Sequence, residues 1–477
     1  MKVLLVSPIS DLWNERKHVP LGLGYLAAVM LQAGHEAQIF DAAVEPGPLA
    51  ERLDRGKFDV IGVTSTTPLI DEAWRAAGEA KQRGALTILG GPHLTLMPDE
   101  SLERPDVDLV VRGEGEDTLL EILALLAQNP GQLTDSGGCV FPKEPWSRIR
   151  GISFRSLDGE VVHTTNRPLR KDLDSLPFPA HLLLDISRYT NLQPLTDGLD
   201  PHARAYTIVT SRGCPYNCVY CSKAITGRTW RPRSPENVAA EWRWLVRDLK
   251  ATEIGVTDDS MTTDLDRAKT ICRMLIGEGL NTVPWITIHG IRAGDTDLEL
   301  LQLMKQAGCR RVGFGVESGN QRILDSIKKK QTIEEVRAAF LNARQAGLET
   351  MGFFIFGLPG EDETTMDDTI RLAIELEPDM ANFMIAAPYP GTEMYDKVLK
   401  EGRLFSHNWR DFAIHDEKAR FEIGDVTAEL VERKWHEAYR RFYLRPSRIW
   451  RKATNPRFWQ DIPAVANNFR RFFVGRG

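Results

Sequence analysis

The chain has no uninterrupted stretch of about 18 apolar residues, the length a membrane-crossing helix needs, so no transmembrane span is expected in its 477 residues. Cysteine is scarce, with six in the whole sequence. That is too sparse for the disulfide framework of small secreted domains. The charge imbalance is also small, a formal net charge of −6, and gives no basic surface to suit nucleic acid as the main partner. No internal repeat and no low-complexity tract is present. The N-terminal MKVLLVSPIS carries one Lys, stops at a Pro and lacks a small-residue cleavage site, so it reads as a first strand rather than a leader, and a cytosolic location is expected. What is there, 42% apolar and 26% charged residues, is globular composition. The length suffices for two or three domains with full cores.

Short apolar runs punctuate residues 1–135: KVLLV (2–6), EAQIF (36–40), FDVIGVT (58–64), LTILG (86–90) and DLVVR (108–112). Runs of this kind suit strands buried on both faces. Helical patterns lie between them, including 22–34, which ends at Gly34, and 116–128. The expected fold is α/β, a doubly wound, Rossmann-like parallel sheet. Residues 136–200 change character, with a hairpin at 152–164 turning on Asp158-Gly159 and a Pro-rich ordered linker at 167–185. From 201 to 400 six further strand patterns alternate with helices, at 206–211, 253–257, 284–289, 311–316, 350–356 and 380–386. They suit an open, partial (β/α)6 barrel, whose active site belongs at the C-terminal strand ends. Residues 401–477 are expected to form a helical extension. Its last part, 440–477, has ten Lys/Arg against Asp461 alone, interleaved with Phe442, Trp450, Phe458, Trp459, Phe469, Phe472 and Phe473. Contact with an anionic membrane surface, a cap over a bulky apolar substrate, and plain packing on the barrel all fit that tail.

Three of the six cysteines fall within eight residues, in TSRGCPYNCVYCSK (210–223), directly after the first barrel strand. The spacing is C-x3-C-x2-C over Cys214, Cys218 and Cys221, with Tyr220 before the last. A four-iron cluster normally takes four protein ligands, so three thiolates leave one iron open to a small molecule. Zinc would need a fourth His or Cys, such as His202 or His289, at an unusual spacing. Cys139, Cys272 and Cys309 stand apart and read as buried apolar residues.

This pattern resembles the signature of the radical S-adenosylmethionine (SAM) enzymes, over roughly 205–400. The resemblance implies a [4Fe–4S] cluster on Cys214, Cys218 and Cys221, with SAM chelating the fourth iron. It further implies one-electron cleavage of SAM to a 5′-deoxyadenosyl radical that abstracts hydrogen from substrate, and a flavodoxin- or ferredoxin-type electron donor. Glu317 and Ser318, in GFGVESG (313–319), are similar in position to family residues at the SAM amino group or ribose. Gly357, in FFIFGLPGE (353–361), resembles the glycine beside the adenine, and Tyr220 is the signature's aromatic. Asp258 and Asp259 either bind ribose or substrate or cap the next helix. Arg212 either meets a carboxylate beside the cluster or makes a surface ion pair.

A doubly wound domain ahead of such a barrel resembles the cobalamin-binding class of the superfamily. The residues that carry this are PLGLGYLAA (20–28), GGPH (90–93) and VVRGEGE (110–116). The resemblance makes Gly90, Gly91, Glu114, Thr64 and Ser65 candidate cobalamin contacts. Glycines at strand ends let backbone approach a flat corrin or its nucleotide tail; Thr64, Ser65 and Thr66 either bind that tail or cap a helix. The D-x-H-x-x-G motif that supplies cobalt's lower ligand in many mutases does not occur, and His18 and His93 are the histidines near strand ends. The resemblance implies methyl transfer to an unactivated carbon of an apolar small-molecule, lipid or tetrapyrrole substrate, or alternatively an oxidative cyclisation without net methyl transfer. A third reading, a metal-binding regulatory or scaffold protein, is disfavoured by the barrel motifs beyond Cys221.

Overall fold

The computed structural model describes residues 1–9, 18–129, 140–193, 197–413, 417–446 and 448. The chain divides into two compact units. One comprises Met1–Tyr189 with Ser222–Arg233 and Asn408–Asp411; the other comprises Thr190–Cys221, Ser234–His407 and Phe412–Gly477.

The first unit is built on β1 (Lys2–Ser7), β2 (Glu36–Asp41), β3 (Val60–Thr64), β4 (Leu86–Gly90) and β5 (Leu109–Val111), parallel and ordered 2-1-3-4-5. Both faces of each strand are covered, which is why the runs are continuously apolar. In β1, Val3 and Leu5 face one core with helices α1 (Leu21–Gln32) and α6 (Glu116–Gln128). Leu4 and Val6 face the other, with α2 (Leu49–Gly56) and α3 (Ile70–Lys81). Two short helices, α4 (Pro92–Leu96) and α5 (Pro98–Leu102), follow β4. At the N-terminal end of the strands a buried ion pair, Lys81 Nζ to Asp108 Oδ1 at 2.8 Å, is completed by the Thr87 amide donating to Asp108. The hairpin strands β6 (Ile152–Arg155) and β7 (Val161–His163) extend this same sheet, β6 antiparallel to β5 and β7 antiparallel to β6. The Pro-rich segment packs Leu173 and Leu176 against Tyr25 and Val29 of α1.

The second unit carries a parallel sheet in simple sequential order: β8 (Ala205–Ile208), β9 (Glu253–Val256), β10 (Trp285–Thr287), β11 (Cys309–Glu317), β12 (Glu349–Phe356) and β13 (Met380–Ile385). Such an order is that of an unrolled β/α barrel. Connecting helices are α7 (Pro235–Arg243), α8 (Leu265–Gly277), α9 (Leu298–Gln306), α10 (Gln321–Ser326), α11 (Ile333–Gln345) and α12 (Glu363–Leu376). The sequence starts each of the six with a side chain that satisfies orphan amides: Ser234, Asp264, Asp297 and Asn320, and reciprocal capping boxes at Thr332/Glu335 and Asp362/Thr365.

The C-terminal extension is not helical throughout. After α13 (Glu393–Glu401), strands β14 (Gly402–Leu404) and β15 (Phe421–Ile423) form an antiparallel ribbon. Gly402 permits it, since a Cβ there would lie 2.3 Å from the Glu422 carbonyl oxygen, and Gly424 (φ +56°) turns the chain away. Helix resumes at α14 (Ala428–Tyr443), which lays Trp435, Tyr439 and Phe442 on Phe383 of β13. The first aromatic of the tail, Phe442, is therefore core. Trp450, Phe458, Trp459, Phe469, Phe472 and Phe473, for which membrane contact, a substrate cap and plain packing stood as alternatives, lie outside the described residues. No helix among the described residues is long and apolar enough to cross a membrane.

Candidate functional site

The cysteine loop leaves the C-terminal end of β8 and is tied down at both flanks. Upstream, the buried Asp258 carboxylate accepts from the Thr210 amide, the Thr210 hydroxyl and the Ser211 hydroxyl, each at 2.6 Å. Its neighbour Asp259 accepts from the Gly213 amide at 3.0 Å, where φ of +81° calls for glycine. The adjacent acids expected to bind ribose or cap a helix thus shape the approach to Cys214. Burial raises the Asp258 pKa, opposed by those hydrogen bonds and by Arg267.

Within the loop, Tyr216 donates to Asp295 at 2.8 Å and lies under the Arg292 guanidinium, 4.3 Å from the ring centre. Downstream, the Val219 amide donates to Ile327 O at 3.1 Å and its carbonyl accepts from the Met394 amide at 3.0 Å. Cys218 Sγ approaches Lys328 O at 3.9 Å. Cys214 is buried, while Cys218 and Cys221 are partly exposed. Cys218 senses Cys214 electrostatically, and Tyr220 senses Cys218 and Cys221, so the thiols share one neighbourhood. Yet among the described residues no three His, Cys, Asp or Glu side chains converge on one ion. In a multi-iron cluster each thiolate takes a separate iron, so three thiols on one loop need not converge on a single centre.

The Tyr220 hydroxyl lies within electrostatic reach of Glu317 and of the Cys218 and Cys221 thiols. Burial, reinforced by the Glu317 charge, pushes its pKa well above the ordinary value. Glu317, at the end of β11, is held at φ +65°, a left-handed conformation costing roughly 1–2 kcal/mol for a residue with a Cβ. Its carboxylate accepts from the buried Lys329 ammonium at 2.6 Å. Ser318 faces the other way: fully buried, its Oγ lies 3.3 Å from Thr369 Oγ1 on α12. The structure thus brings Glu317, Tyr220 and the cysteines together but turns the Ser318 side chain to packing. Gly357, at the end of β12 (φ +90°), donates its amide to Glu361 Oε2 at 2.8 Å, as does Leu358. Glu361 is buried and its pKa is pushed up to about 8, chiefly by burial. Tyr216, Lys329 and Glu361 were not singled out from sequence, and Lys329 hides within the run Lys328-Lys329-Lys330, which reads as a solvated patch.

In the first unit the C-terminal ends of β3, β4 and β5 form a ledge. Gly91 (φ +112°) sits so close to β3 that a Cβ would meet Ser65 O at 2.5 Å. The Ser65 amide donates to Gly90 O at 2.9 Å, and its hydroxyl donates to Thr66 O. Thr95 joins the ends of β4 and β5, donating to Gly91 O at 2.9 Å and accepting from the Gly113 amide at 3.0 Å. Gly113 (φ +77°) has open space where a Cβ would stand, which fits a ledge that accepts a flat ligand. Thr64 lies at its edge, partly exposed. Glu114, by contrast, is buried in a two-armed pair with Arg231, 2.9 Å at each oxygen, and also accepts from the Arg170 amide. His93 is fully buried, with Nε2 against Glu100 and Nδ1 3.3 Å from Thr67 Oγ1. Glu100 in turn accepts from the Trp409 indole at 3.0 Å. Both ring nitrogens are occupied within the fold.

A partial β/α barrel with a three-cysteine loop after its first strand, in a chain that also carries a flavodoxin-type 2-1-3-4-5 domain, defines an iron–sulfur radical enzyme with a second cofactor domain. Residues 208–373 match the radical SAM superfamily and residues 15–123 the B12 binding domain. A protein named uncharacterized methyltransferase PH0819, from Pyrococcus horikoshii, is 33% identical over 457 residues, covering 94% of this chain and 93% of that one. The anaerobic magnesium-protoporphyrin IX monomethyl ester cyclase of Rubrivivax gelatinosus is 29% identical, covering 89% of this chain and 74% of the cyclase. Among solved structures, the radical SAM methyltransferase TsrM from Kitasatospora setae, with cobalamin and [4Fe–4S] cluster bound, superposes with a TM-score of 0.66 at 20% identity, over 84% of this chain and 78% of TsrM. The chain belongs to the radical SAM superfamily and carries a B12-binding domain ahead of its barrel. Its cofactors are accordingly a [4Fe–4S] cluster, SAM and cobalamin.

Proposed function

We propose that this chain is a cobalamin-dependent radical SAM methyltransferase acting on carbon in an apolar small-molecule, lipid or tetrapyrrole substrate. The observation that carries the reading is the Cys214–Cys221 loop, fixed by Asp258 and Asp259 at the C-terminal end of the first strand of the parallel sheet. Cys214, Cys218 and Cys221 hold the cluster. Glu317 and Tyr220 form the polar wall beside it, and the glycine loop at Gly357, braced by Glu361, lies at another strand end of the same sheet. When bound, the cluster with SAM supplies one-electron cleavage of the sulfonium, and cobalamin carries the methyl group. The chain's own part is to fix the thiol loop, orient the ligands and keep side reactions out. In the first unit Gly90, Gly91 and Gly113 form the ledge and Thr64 its hydroxyl edge. Ser65, Glu114 and His93 support that ledge from within rather than contact cobalamin.

Methyl transfer is favoured by the relative from Pyrococcus horikoshii, named a methyltransferase and aligned over nearly the whole of both chains. An oxidative cyclisation without net methyl transfer is the second reading, and the Rubrivivax gelatinosus relative named as a cyclase favours it. A flavodoxin- or ferredoxin-type protein supplies the electron, and peripheral membrane contact through the basic-aromatic tail is a proposal that rests on its composition alone. The test is turnover with SAM labelled in its methyl group, using an extract of the source cells as substrate. Label in a small-molecule product is expected. Label confined to SAM, methionine and cobalamin while product forms would replace methyl transfer by the oxidative reading.

A further inference from the structure

A buried cation stands beside the cysteine loop that neither the sequence motif nor the family match assigns. After α10 the chain runs through Lys328, Lys329 and Lys330. The first and third adopt left-handed conformations (φ +57° and +52°), so their side chains leave toward solvent and Lys329 is thrown inward. Lys328 is exposed and pairs with Glu393 at 2.5 Å, whereas Lys329 keeps only 8% of its surface. Room for it is made at Gly315, where a Cβ would fall 2.9 Å from Lys329 Nζ and 2.7 Å from Glu317 Oε1. The turn is tied to the cysteine loop by the Val219 amide donating to Ile327 O, and Lys328 O lies 3.9 Å from Cys218 Sγ. The groups whose charge Lys329 feels are Glu317, Cys218 and Cys221. A lysine buried this deeply keeps its charge only with a partner, and two left-handed non-glycine residues are spent on placing it.

We propose that Lys329 is a positioning residue that sets the one-electron potential of the cluster held by Cys214, Cys218 and Cys221. Reduction adds one electron to the cluster and takes one from a low-potential flavin or iron–sulfur donor, with no proton moved. A fixed positive charge in a poorly screened site stabilises the more negative, reduced state. Glu317 opposes it, so the pair holds the potential between two limits. This rests on the reading of the thiol loop as the cluster site and not on the fate of the methyl group.

The test is anaerobic redox titration of the reconstituted full chain, following the reduced cluster by electron paramagnetic resonance, with iron content read first. Wild type that takes up no iron would remove the reading of the loop itself, before any potential is measured. In Lys329→Met the ratio of reduced to oxidised cluster at the wild-type midpoint is expected to fall about tenfold, which is about 59 mV for a one-electron couple. Lys329→Arg is expected to stay within about twofold of wild type, and Glu317→Gln to move in the opposite direction to Lys329→Met. A Lys329→Met ratio within twofold of wild type overturns the proposal, as does a Glu317→Gln shift toward lower potential. Should Lys329→Met fail to hold iron, Glu317→Gln decides alone: a rise supports the role, and no rise overturns it.

Discussion

Replacing Glu361 by Gln should flatten the pH dependence of stability. The carboxylate keeps 1% of its surface, and Oε2 accepts two backbone amides, Gly357 N and Leu358 N, at 2.8 Å each. Oε1 has no hydrogen-bond partner among the described residues. Burial outweighs the two amides and lifts the pKa from 4.5 to about 8. The native state therefore holds this proton over a range where the unfolded chain has lost it. The stabilisation is complete below pH 4.5 and drains away as pH rises toward 8. At 1.36 kcal/mol per unit, the loss between pH 5 and pH 8 is on the order of 4 kcal/mol. Gln stays neutral and keeps an oxygen for the two amides, so this slope vanishes, at the cost of about 1–3 kcal/mol for an amide group placed where Oε1 finds no partner. Urea midpoints at pH 5, 6, 7 and 8 measure it. Wild type should lose more stability across the series than Glu361→Gln, with the curves converging or crossing at high pH. Parallel curves would refute the reasoning, because they would mean that Glu361 is ionised throughout.

Other outcomes follow from the ledge of the first unit. Gly91→Ala puts a Cβ 2.5 Å from Ser65 O at φ +112°, and should cost roughly 3 kcal/mol or more through strain and overlap; a lowered melting temperature with loss of the bound corrin spectrum is expected. His93→Gln should leave cobalamin bound, with the same absence of nitrogen splitting in the cobalt(II) resonance spectrum as wild type, because both ring nitrogens are occupied by Thr67 and Glu100. Nitrogen splitting in wild type that disappears in the variant would make His93 a cobalt ligand.

The strands were legible because continuous apolar runs such as Val3–Val6 and Leu109–Val111 are buried on both sides, and a period of one has few alternative readings. The cysteine loop was legible because its three cysteines come from one short segment. What sequence hid was everything whose partner is distant. Glu114 reads as a ligand in VVRGEGE, but Arg231, 117 residues on, claims both its oxygens. Ser318 reads as a SAM contact, but Thr369 lies beyond α11 and β12. Lys329 gives no signal because its neighbours share its identity and differ only in backbone conformation. The ribbon at 402–423 was missed because Gly402 acts by close approach to Glu422, a contact no periodicity records.

The most direct measurement is reconstitution of the full chain without oxygen, with iron, sulfide and SAM, followed by addition of a low-potential reductant. Brown protein with about four irons per chain, releasing 5′-deoxyadenosine, is expected, with release abolished in each of Cys214→Ala, Cys218→Ala and Cys221→Ala. An undiminished 5′-deoxyadenosine yield in all three variants would contradict the account at its root.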